Sequence, residues 1–177
     1  NQVTHLLELK QANASLELAT VKMQVLIDRD AVTGLPTERV FRGHLRTEFQ
    51  YARRHGQPLS LVMVKVHAGK ACDLSPNADL FEDQIKKLAR LLGRDTREYD
   101  LIARSGEHEF AIVMRNATSE IGMRVAGRLL ARIQSSDIET GHMTAEFGVS
   151  SLSPDMVSSR DLIDKARDEF AKQLSAA

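Results

Sequence analysis

This sequence has very little cysteine, no tryptophan and no net charge. Its 177 residues include one cysteine, Cys72, and no tryptophan. A single cysteine excludes an internal disulfide and suits a reducing compartment, so we expect a cytoplasmic protein. Lysine plus arginine equal aspartate plus glutamate at 24 each, which gives zero net charge. Without a positive excess, a general electrostatic attraction to nucleic acid or to an anionic membrane is not expected.

Long apolar stretches are also missing. A membrane-spanning helix needs about 20 consecutive apolar residues, and no run here approaches that length. No signal-peptide pattern precedes the domain. The chain begins at Asn1 with a helical pattern already running, so we expect a piece of a longer protein. Its 177 residues fit one domain with a short appendage, large enough to fold without a disulfide or a structural metal.

The first 28 residues contain neither glycine nor proline. Apolar side chains recur there in alternating steps of four and three residues, the spacing of a helix that pairs with another helix. One stripe comprises His5, Leu9, Ala12, Leu16, Ala19, Met23 and Leu26, and a second comprises Leu7, Ala14, Leu18, Val21 and Val25. We predict a signalling helix over residues 1–28 that joins two copies as a coiled-coil homodimer. The alternative is an amphipathic helix packed on its own domain.

Residues 29–177 are predicted to form one domain of α/β (α+β) class. After a loop, Thr37 can cap a helix that ends near Gly56, and residues 69–77 are loop-like. Periodicity and apolar runs predict the other elements. They are strands over residues 59–66, 99–104, 109–114 and 143–152, and helices over residues 80–92, 121–133 and 159–174. Alternating strands and helices around a central hairpin indicate a mixed sheet with helices on its faces.

Four segments of this domain carry a family resemblance. Residues 104–110 spell RSGEHEF, residues 30–41 spell DAVTGLPTERVF, residues 59–70 form an apolar strand that ends in HAGK, and residues 144–149 spell TAEFGV. In this order and spacing they resemble the RYGGDEF hairpin, the DxLTGLxNRRxF opening, the DIDxFK strand and the TxSxGV strand of GGDEF domains, the family of bacterial diguanylate cyclases. The resemblance implies a palm-like fold with a central mixed, mostly antiparallel sheet of about five strands wrapped by helices.

In active members of this family, two domains meet face to face and condense two GTP molecules into cyclic di-GMP. Divalent metal ions neutralise the triphosphate in such a phosphoryl transfer, and Mg²⁺ requires hard oxygen ligands such as carboxylates. The resemblance assigns these carboxylates to positions held here by Lys65 and His108. An ammonium group repels Mg²⁺, and a histidine nitrogen suits softer metals. We therefore expect no enzyme activity and no Mg²⁺ cofactor.

Other positions of the implied active site are altered as well. Glu107 replaces the second glycine of the turn, adding a side chain and a negative charge where a triphosphate would lie. Asp73 and Glu82 stand where the family usually places an asparagine and an aspartate that hold guanine. Glu109 survives, but one carboxylate cannot build a two-metal site. The degenerate active site thus comprises Lys65, Asp73, Glu82, Gly106, Glu107, His108, Glu109 and Phe110.

A second family site is retained. Arg97 and Asp100 form an R-x-x-D motif five residues before the glycine of the turn, the register of the family's product-binding inhibitory site. In the family a second arginine on the helix after the hairpin completes this site. Arg128 lies at the matching offset, with Arg124 and Arg132 one turn to either side. An arginine can donate to guanine O6 and N7, and an aspartate can accept from guanine N1–H and N2–H.

Together these residues predict a catalytically inactive receptor for cyclic di-GMP. We expect it to signal through its dimer or a protein partner, without contacts to nucleic acid or membrane. The runner-up is a nucleotide-blind dimerisation or protein-interaction scaffold. In that case Arg97 and Asp100 would form a surface salt bridge worth about 0–1 kcal/mol, and the arginines that follow would form a solvated helix face.

Two further alternatives stay open. One is binding of GTP without turnover, which Glu82 and Lys70 permit. The other is a transition-metal site formed by His67, His108 and Glu109, although no C-x-x-C or H-x-x-x-H spacing supports it.

Overall fold

The computed structural model describes residues 2–68, 78–135 and 143–175. In chain order its elements are α1 (Gln2–Asp28), α2 (Glu38–His55), β1 (Leu59–Ala68), α3 (Ala78–Asp95), β2 (Leu101–Gly106), β3 (Glu109–Arg115), α4 (Ser119–Gln134), β4 (Met143–Ser151) and α5 (Ser159–Ser175). Every predicted helix and strand is confirmed, and its ends differ from the prediction by at most three residues. The predicted loop at residues 69–77 lies outside the described residues.

The four strands of the described chain form one sheet in the order β2-β3-β1-β4. All three pairings are antiparallel, and β1 lies between β3 and β4, as its unbroken apolar run predicts. The family resemblance implies a palm-like fold with a mixed, mostly antiparallel sheet of about five strands, and the described chain confirms this fold with four strands. Within the described part, β1 runs antiparallel to both its neighbours. Parallel pairing there is confined to an isolated bridge between Thr37 and Arg104.

Alternate side chains of β1 enter two separate cores, since successive residues of a strand point to opposite faces. Val62 and Val64 lie in a buried cluster with residues of α3 and α4. Leu61 and Met63 lie in a second cluster with residues of α2 and α5. Continuing this alternation places Lys65 on the α2–α5 face, at the end of the apolar run.

The last helix crosses the sheet in very close contact at one glycine. A β-carbon added to Gly148 on β4 would lie 1.8 Å from the carbonyl oxygen of Ala166 on α5. No other residue fits there without moving the helix away from the sheet. This contact fixes the position of Arg167, the next residue of α5, relative to the end of the sheet.

The middle of the first helix has exposed apolar side chains. All side chains from residue 7 to residue 20 are exposed, including Leu7, Leu9, Leu16 and Leu18 at 52–64%. This stretch therefore does not pack on its own domain, contrary to the alternative of an amphipathic helix folded back on the same chain. Among the described helices, none combines the length and the apolar character needed to cross a membrane.

Candidate functional site

A row of charged residues crosses the end of the sheet. Lys65 on β1 pairs in register with Glu109 on β3 and with Glu146 on β4. Directly opposed residues of antiparallel strands have their β-carbons about 4.5–5.5 Å apart, so two carboxylates flank the lysine. A cation therefore lies at the centre of the sheet end where the resemblance implies metal ions.

An arginine from α5 forms an ion pair with Glu109, the carboxylate that the turn retains from the family motif. Arg167 Nη2 donates to Glu109 Oε2 at 2.7 Å. The Glu109 side chain is 18% exposed, so this pair is partly shielded from water and is stronger than a surface ion pair. The hydrogen bond with Glu109 raises the pKa of Arg167, outweighing the opposite effect of burial. Glu109 is thus neutralised by the protein itself.

The second carboxylate of the row has a histidine beside it. His67 Nε2 lies 3.3 Å from Glu146 Oε2, and the Glu146 side chain is 17% exposed. These two atoms are not aligned as a hydrogen bond, and neither has another hydrogen-bond partner in the described chain. Lys65 and Arg167 place two cations among the carboxylates of this cluster. Both cations oppose the approach of a divalent metal ion.

Two of the segments that carry the resemblance are joined by one arginine. Arg104 Nη1 donates to Asp30 Oδ1 at 3.0 Å, and Arg104 Nη2 donates to the carbonyl of Glu107 at 2.8 Å. Asp30 also accepts from the backbone N–H of Thr33 at 2.8 Å and from its hydroxyl at 2.7 Å. Burial pushes the pKa of Asp30 up, but the hydrogen bonds from Thr33 and Arg104 together lower it. The hairpin turn is thereby anchored to the opening loop.

The turn itself accommodates glutamate in place of glycine without strain. No residue from 104 to 110 has a positive φ, so Glu107 requires no left-handed backbone. The Glu107 side chain is 85% exposed, and the ring of His108 lies edge-on to Phe81 of α3 at 5.2 Å. Glycine offers a phosphate-binding turn freedom to adopt a positive φ and open space for the ligand. The backbone here does not need the positive φ, so the substitution by Glu107 removes only the open space.

The other residues of the predicted degenerate site are distributed around this turn. Glu82 on α3 forms an ion pair with Lys86 at 2.8 Å, so its carboxylate is engaged locally. Phe110 is fully buried in the core, where it has a packing role. Gly106 faces Glu109, and a β-carbon added there would lie 3.3 Å from the β-carbon of Glu109. Asp73 lies outside the described residues.

The transition-metal hypothesis gains no support from the side chains that the structure describes. Within that part of the chain, no three residues of the histidine, cysteine, aspartate and glutamate types form a group that could hold a metal. His67 lies against Glu146, His108 packs on Phe81, and Glu109 is bound by Arg167. The three predicted ligands therefore have different neighbours.

The R-x-x-D motif forms a turn between α3 and β2. The backbone N–H of Arg97 donates to Asp100 Oδ2 at 3.3 Å, and the N–H of Asp100 donates to the carbonyl of Arg97 at 3.0 Å. The guanidinium of Arg97 has no hydrogen bond or ion pair with any described residue and lies 6.0 Å from the ring centre of Tyr99, an exposed side chain. The alternative of an Arg97–Asp100 salt bridge is thus not realised.

The surroundings of Asp100 disfavour its ionised form. Its Oδ1 atom is buried and has no hydrogen-bond partner in the part of the chain that the structure describes. Burial raises the pKa of Asp100, more than the hydrogen bond from Arg97 and the charge of that arginine lower it. A carboxylate that is desolvated and incompletely bonded reduces the stability of the fold. It is also a strong acceptor for a ligand that brings N–H donors.

The arginine predicted to complete this site reaches the same end of α3. Arg128 Nη2 donates to the carbonyl oxygen of Asp95 at 2.6 Å, two residues before Arg97. Arg132, one turn further on α4, pairs with the carboxylate of Asp95 at 3.0 Å. The structure therefore brings Arg128 to the end of α3, just before the turn formed by Arg97 and Asp100. Among the described residues, Arg124 makes no such contact with the end of α3.

Sequence reasoning missed two residues of the sheet end, Glu146 and Arg167. Glu146 stands where the TxSxGV pattern has serine, so a signal for it was present. Arg167 belongs to no motif, and its role depends on where α5 crosses the sheet.

Comparison with known proteins gives low sequence identity over most of the chain. The chain is 27% identical over 148 residues to the probable diguanylate cyclase DgcC of Escherichia coli, a match that covers 82% of this chain and 40% of that protein. It is 26% identical over 148 residues to the diguanylate cyclase TpbB of Pseudomonas aeruginosa, covering 81% and 34%. The chain thus spans less than half the length of these curated relatives.

Solved structures share its fold at still lower identity. The coiled coil and GGDEF domain of DgcB from Caulobacter crescentus, solved with c-di-GMP, superimposes with a TM-score of 0.81 at 16% identity, covering 97% of this chain and 95% of that one. SiaD of Pseudomonas aeruginosa, solved with its activator SiaC, gives 0.76 at 22% identity, covering 99% and 70%. The family model for the diguanylate cyclase GGDEF domain matches residues 27–176, and the chain therefore belongs to the GGDEF family.

Proposed function

We propose that this GGDEF domain synthesises no cyclic di-GMP and instead binds it at the turn formed by Arg97 and Asp100. The observation that carries the proposal is the state of that turn. The guanidinium of Arg97 has no hydrogen bond or ion pair with a described residue, and Asp100 has a buried oxygen without a partner there. A guanine base supplies acceptors for the guanidinium and N–H donors for the carboxylate oxygen.

The charges at the sheet end favour inactivity. Lys65 replaces the carboxylate that the family uses for metal ions, and Arg167 occupies Glu109 at 2.7 Å. To bind Glu109, a metal ion would have to displace Arg167 and approach Lys65. Electrostatic stabilisation by metal ions supplies much of the rate in phosphoryl transfer, so its loss removes the chemistry even if GTP binds.

Three features favour cyclic di-GMP as the ligand of the turn. Arg97 can donate to guanine O6 and N7 while Asp100 accepts from N1–H and N2–H. Arg128 lies close enough to pair with a phosphate. The ring of Tyr99 is 61% exposed and offers a surface on which a base can stack. The DgcB domain that shares this fold was solved with the same ligand.

We propose that binding is transmitted through α1. Its exposed leucines would be covered by the same helix of a second copy, and two linked domains would bind a bridging ligand at high effective concentration. A protein partner is a further route, since SiaD was solved with an activator protein. The single cysteine supports a reducing, cytoplasmic location.

Isothermal titration of cyclic di-GMP into the full chain tests the receptor. We expect micromolar or tighter binding that Arg97→Ala weakens at least 100-fold. Arg54→Ala is the matched control, because Arg54 is an equally exposed arginine on α2, and it should bind as the original chain does. A folded protein that shows no heat of binding at high concentration would leave the scaffold as the better hypothesis.

Deleting residues 1–28 tests the dimer. We expect sedimentation equilibrium to show a dimer for the full chain and a monomer for the shortened chain, because the apolar stripe is removed. A monomeric full chain would contradict transmission through α1.

Two assays with GTP test inactivity and separate it from GTP binding. Incubation with GTP and Mg²⁺ should yield no cyclic di-GMP, and measurable product would overturn the proposal. Saturable GTP binding without product would instead support a GTP sensor, with Lys65 offsetting triphosphate charge.

A further inference from the structure

A basic cleft lies between α3 and α4, beside the R-x-x-D turn and away from the sheet end. It has a volume of about 570 Å³, within the range of small-molecule sites. Four of its lining residues are cations, namely Lys87, Arg90, Arg94 and Arg132. None of the residues Arg97, Asp100 and Arg128 lines it.

Among the described residues, only one of the four cations of this cleft has an acidic partner. Its one acidic lining residue, Asp95, is 6% exposed and already pairs with Arg132 at 3.0 Å. Lys87, Arg90 and Arg94 form no ion pair or hydrogen bond with any residue that the structure describes. They recur at spacings of three and four on one helix, where like charges destabilise the fold. In a chain of zero net charge, this concentration calls for an anionic ligand.

The spacing of the cations indicates the shape of that ligand. Seven residues separate Lys87 from Arg94, which is about 10 Å along a helix axis. A row of this length matches a chain of two or three phosphates better than a single phosphate. Arginine forks bind phosphate oxygens in pairs, and lysine adds a point charge. The partly buried Leu91 provides an apolar surface beside the row.

We propose that this cleft binds a polyphosphate group, carried by a nucleoside triphosphate or by an inorganic polyphosphate. A small cleft between two helices suits such a ligand better than a macromolecule. The cleft adjoins the cyclic di-GMP receptor proposed above, because Asp95 lines the cleft and accepts a hydrogen bond from Arg128. Its row of three cations on α3 belongs to the cleft alone. A ligand in this cleft would be the second one bound by α3 and α4, because Arg128 of the proposed receptor site also lies on α4.

Titration of ATP and of inorganic triphosphate, without Mg²⁺, into the full chain tests this site. We expect saturable binding that the double variant Lys87→Glu/Arg94→Glu weakens at least tenfold. The matched control is Arg46→Glu/Arg54→Glu, which reverses two charges in another basic cleft, on α2, and should leave the affinity unchanged. Circular dichroism should show that both variants are folded, since all four side chains are exposed.

The outcomes separate this proposal from the receptor. Equal affinity for both probes supports recognition of the phosphates alone, and tighter ATP binding supports a nucleotide whose base contacts Leu91. The cleft variant should keep cyclic di-GMP binding, and Arg97→Ala should keep triphosphate binding. Absence of saturation with both probes overturns the proposal. So does an equal loss in the α2 control, or a loss of triphosphate binding in Arg97→Ala.

Discussion

The sheet end and the R-x-x-D turn differ in how their charges are satisfied. At the sheet end Glu109 is bound by Arg167, Glu146 has His67 beside it, and Lys65 lies between the two carboxylates. At the turn, Arg97 has no ion-pair partner among the described residues, and Asp100 leaves a buried oxygen unpaired.

At the sheet end Arg167 holds Glu109, although Glu146 keeps one buried oxygen without a hydrogen bond to any described residue. At the turn, neither Arg97 nor Asp100 forms an ion pair with a described residue, so both side chains are left for a ligand. Charges that neutralise one another within a fold stabilise it and leave little for a ligand to bind. Charges that stay desolvated and incompletely bonded reduce stability until a ligand completes their bonds. Of the four predictions below, three act on one side of this comparison or the other, and the last acts on the loop that anchors the hairpin.

Asp100→Asn should have opposite effects on binding and on stability. The amide no longer accepts both guanine N–H groups as a carboxylate does, so affinity for cyclic di-GMP should fall about 10–100-fold. The thermal midpoint at neutral pH should rise by a few degrees, because the desolvated charge is removed. Calorimetry of unfolding and of binding on the same sample measures both. A variant that is less stable and binds normally would contradict the assignment of Asp100.

The stability gain should also depend on pH in a defined direction. Burial raises the pKa of Asp100 in the folded protein above its usual 3.8. The folded state therefore holds the proton more tightly, and ionisation costs stability as the pH rises through that raised value. The advantage of Asp100→Asn should be largest near neutral pH and shrink as the pH falls toward 4.

Arg167→Met should destabilise the fold where Arg97→Ala does not. Removing Arg167 leaves the carboxylate of Glu109, 18% exposed, without its partner, at a cost of about 1–3 kcal/mol. The double variant Arg167→Met/Glu109→Gln should recover part of this loss, which a double-mutant cycle in urea would show. Arg97→Ala should change stability by less than about 0.5 kcal/mol. Equal losses for both arginines would remove the distinction between the two regions.

Asp30→Asn should weaken the link between the opening loop and the hairpin. Hydrogen bonds from Thr33 and Arg104 lower the pKa of Asp30 below 3.8 despite its burial. Its ionised form therefore stabilises the fold above that pH, and the contribution is lost as the pH falls below it. The variant should lose about 1–2 kcal/mol at neutral pH, and the difference should vanish in strong acid. A difference that is constant with pH would contradict this role.

Secondary structure was the most predictable level of this protein. The apolar run from Leu59 identified β1 as a central strand, and the helix ending before Gly56 was placed correctly because this glycine adopts a φ of +64°. The mostly antiparallel sheet was predicted correctly through the family resemblance, because strand pairing is long-range and no local pattern specifies it. The turn at Glu107 shows a further limit. Glycine in a family motif suggests a special backbone, yet the structure has ordinary φ values there.

Sequence alone determined the order of elements, the identity of the residues at each motif position and the apolar stripe of α1, because periodicity and turn chemistry are local. The tertiary structure decided which charges meet. Arg167 reaches Glu109 across 58 positions because α5 packs against Gly148. Arg128 reaches the end of α3 from α4. Such contacts depend on helix placement to within a few ångströms, which no local pattern specifies.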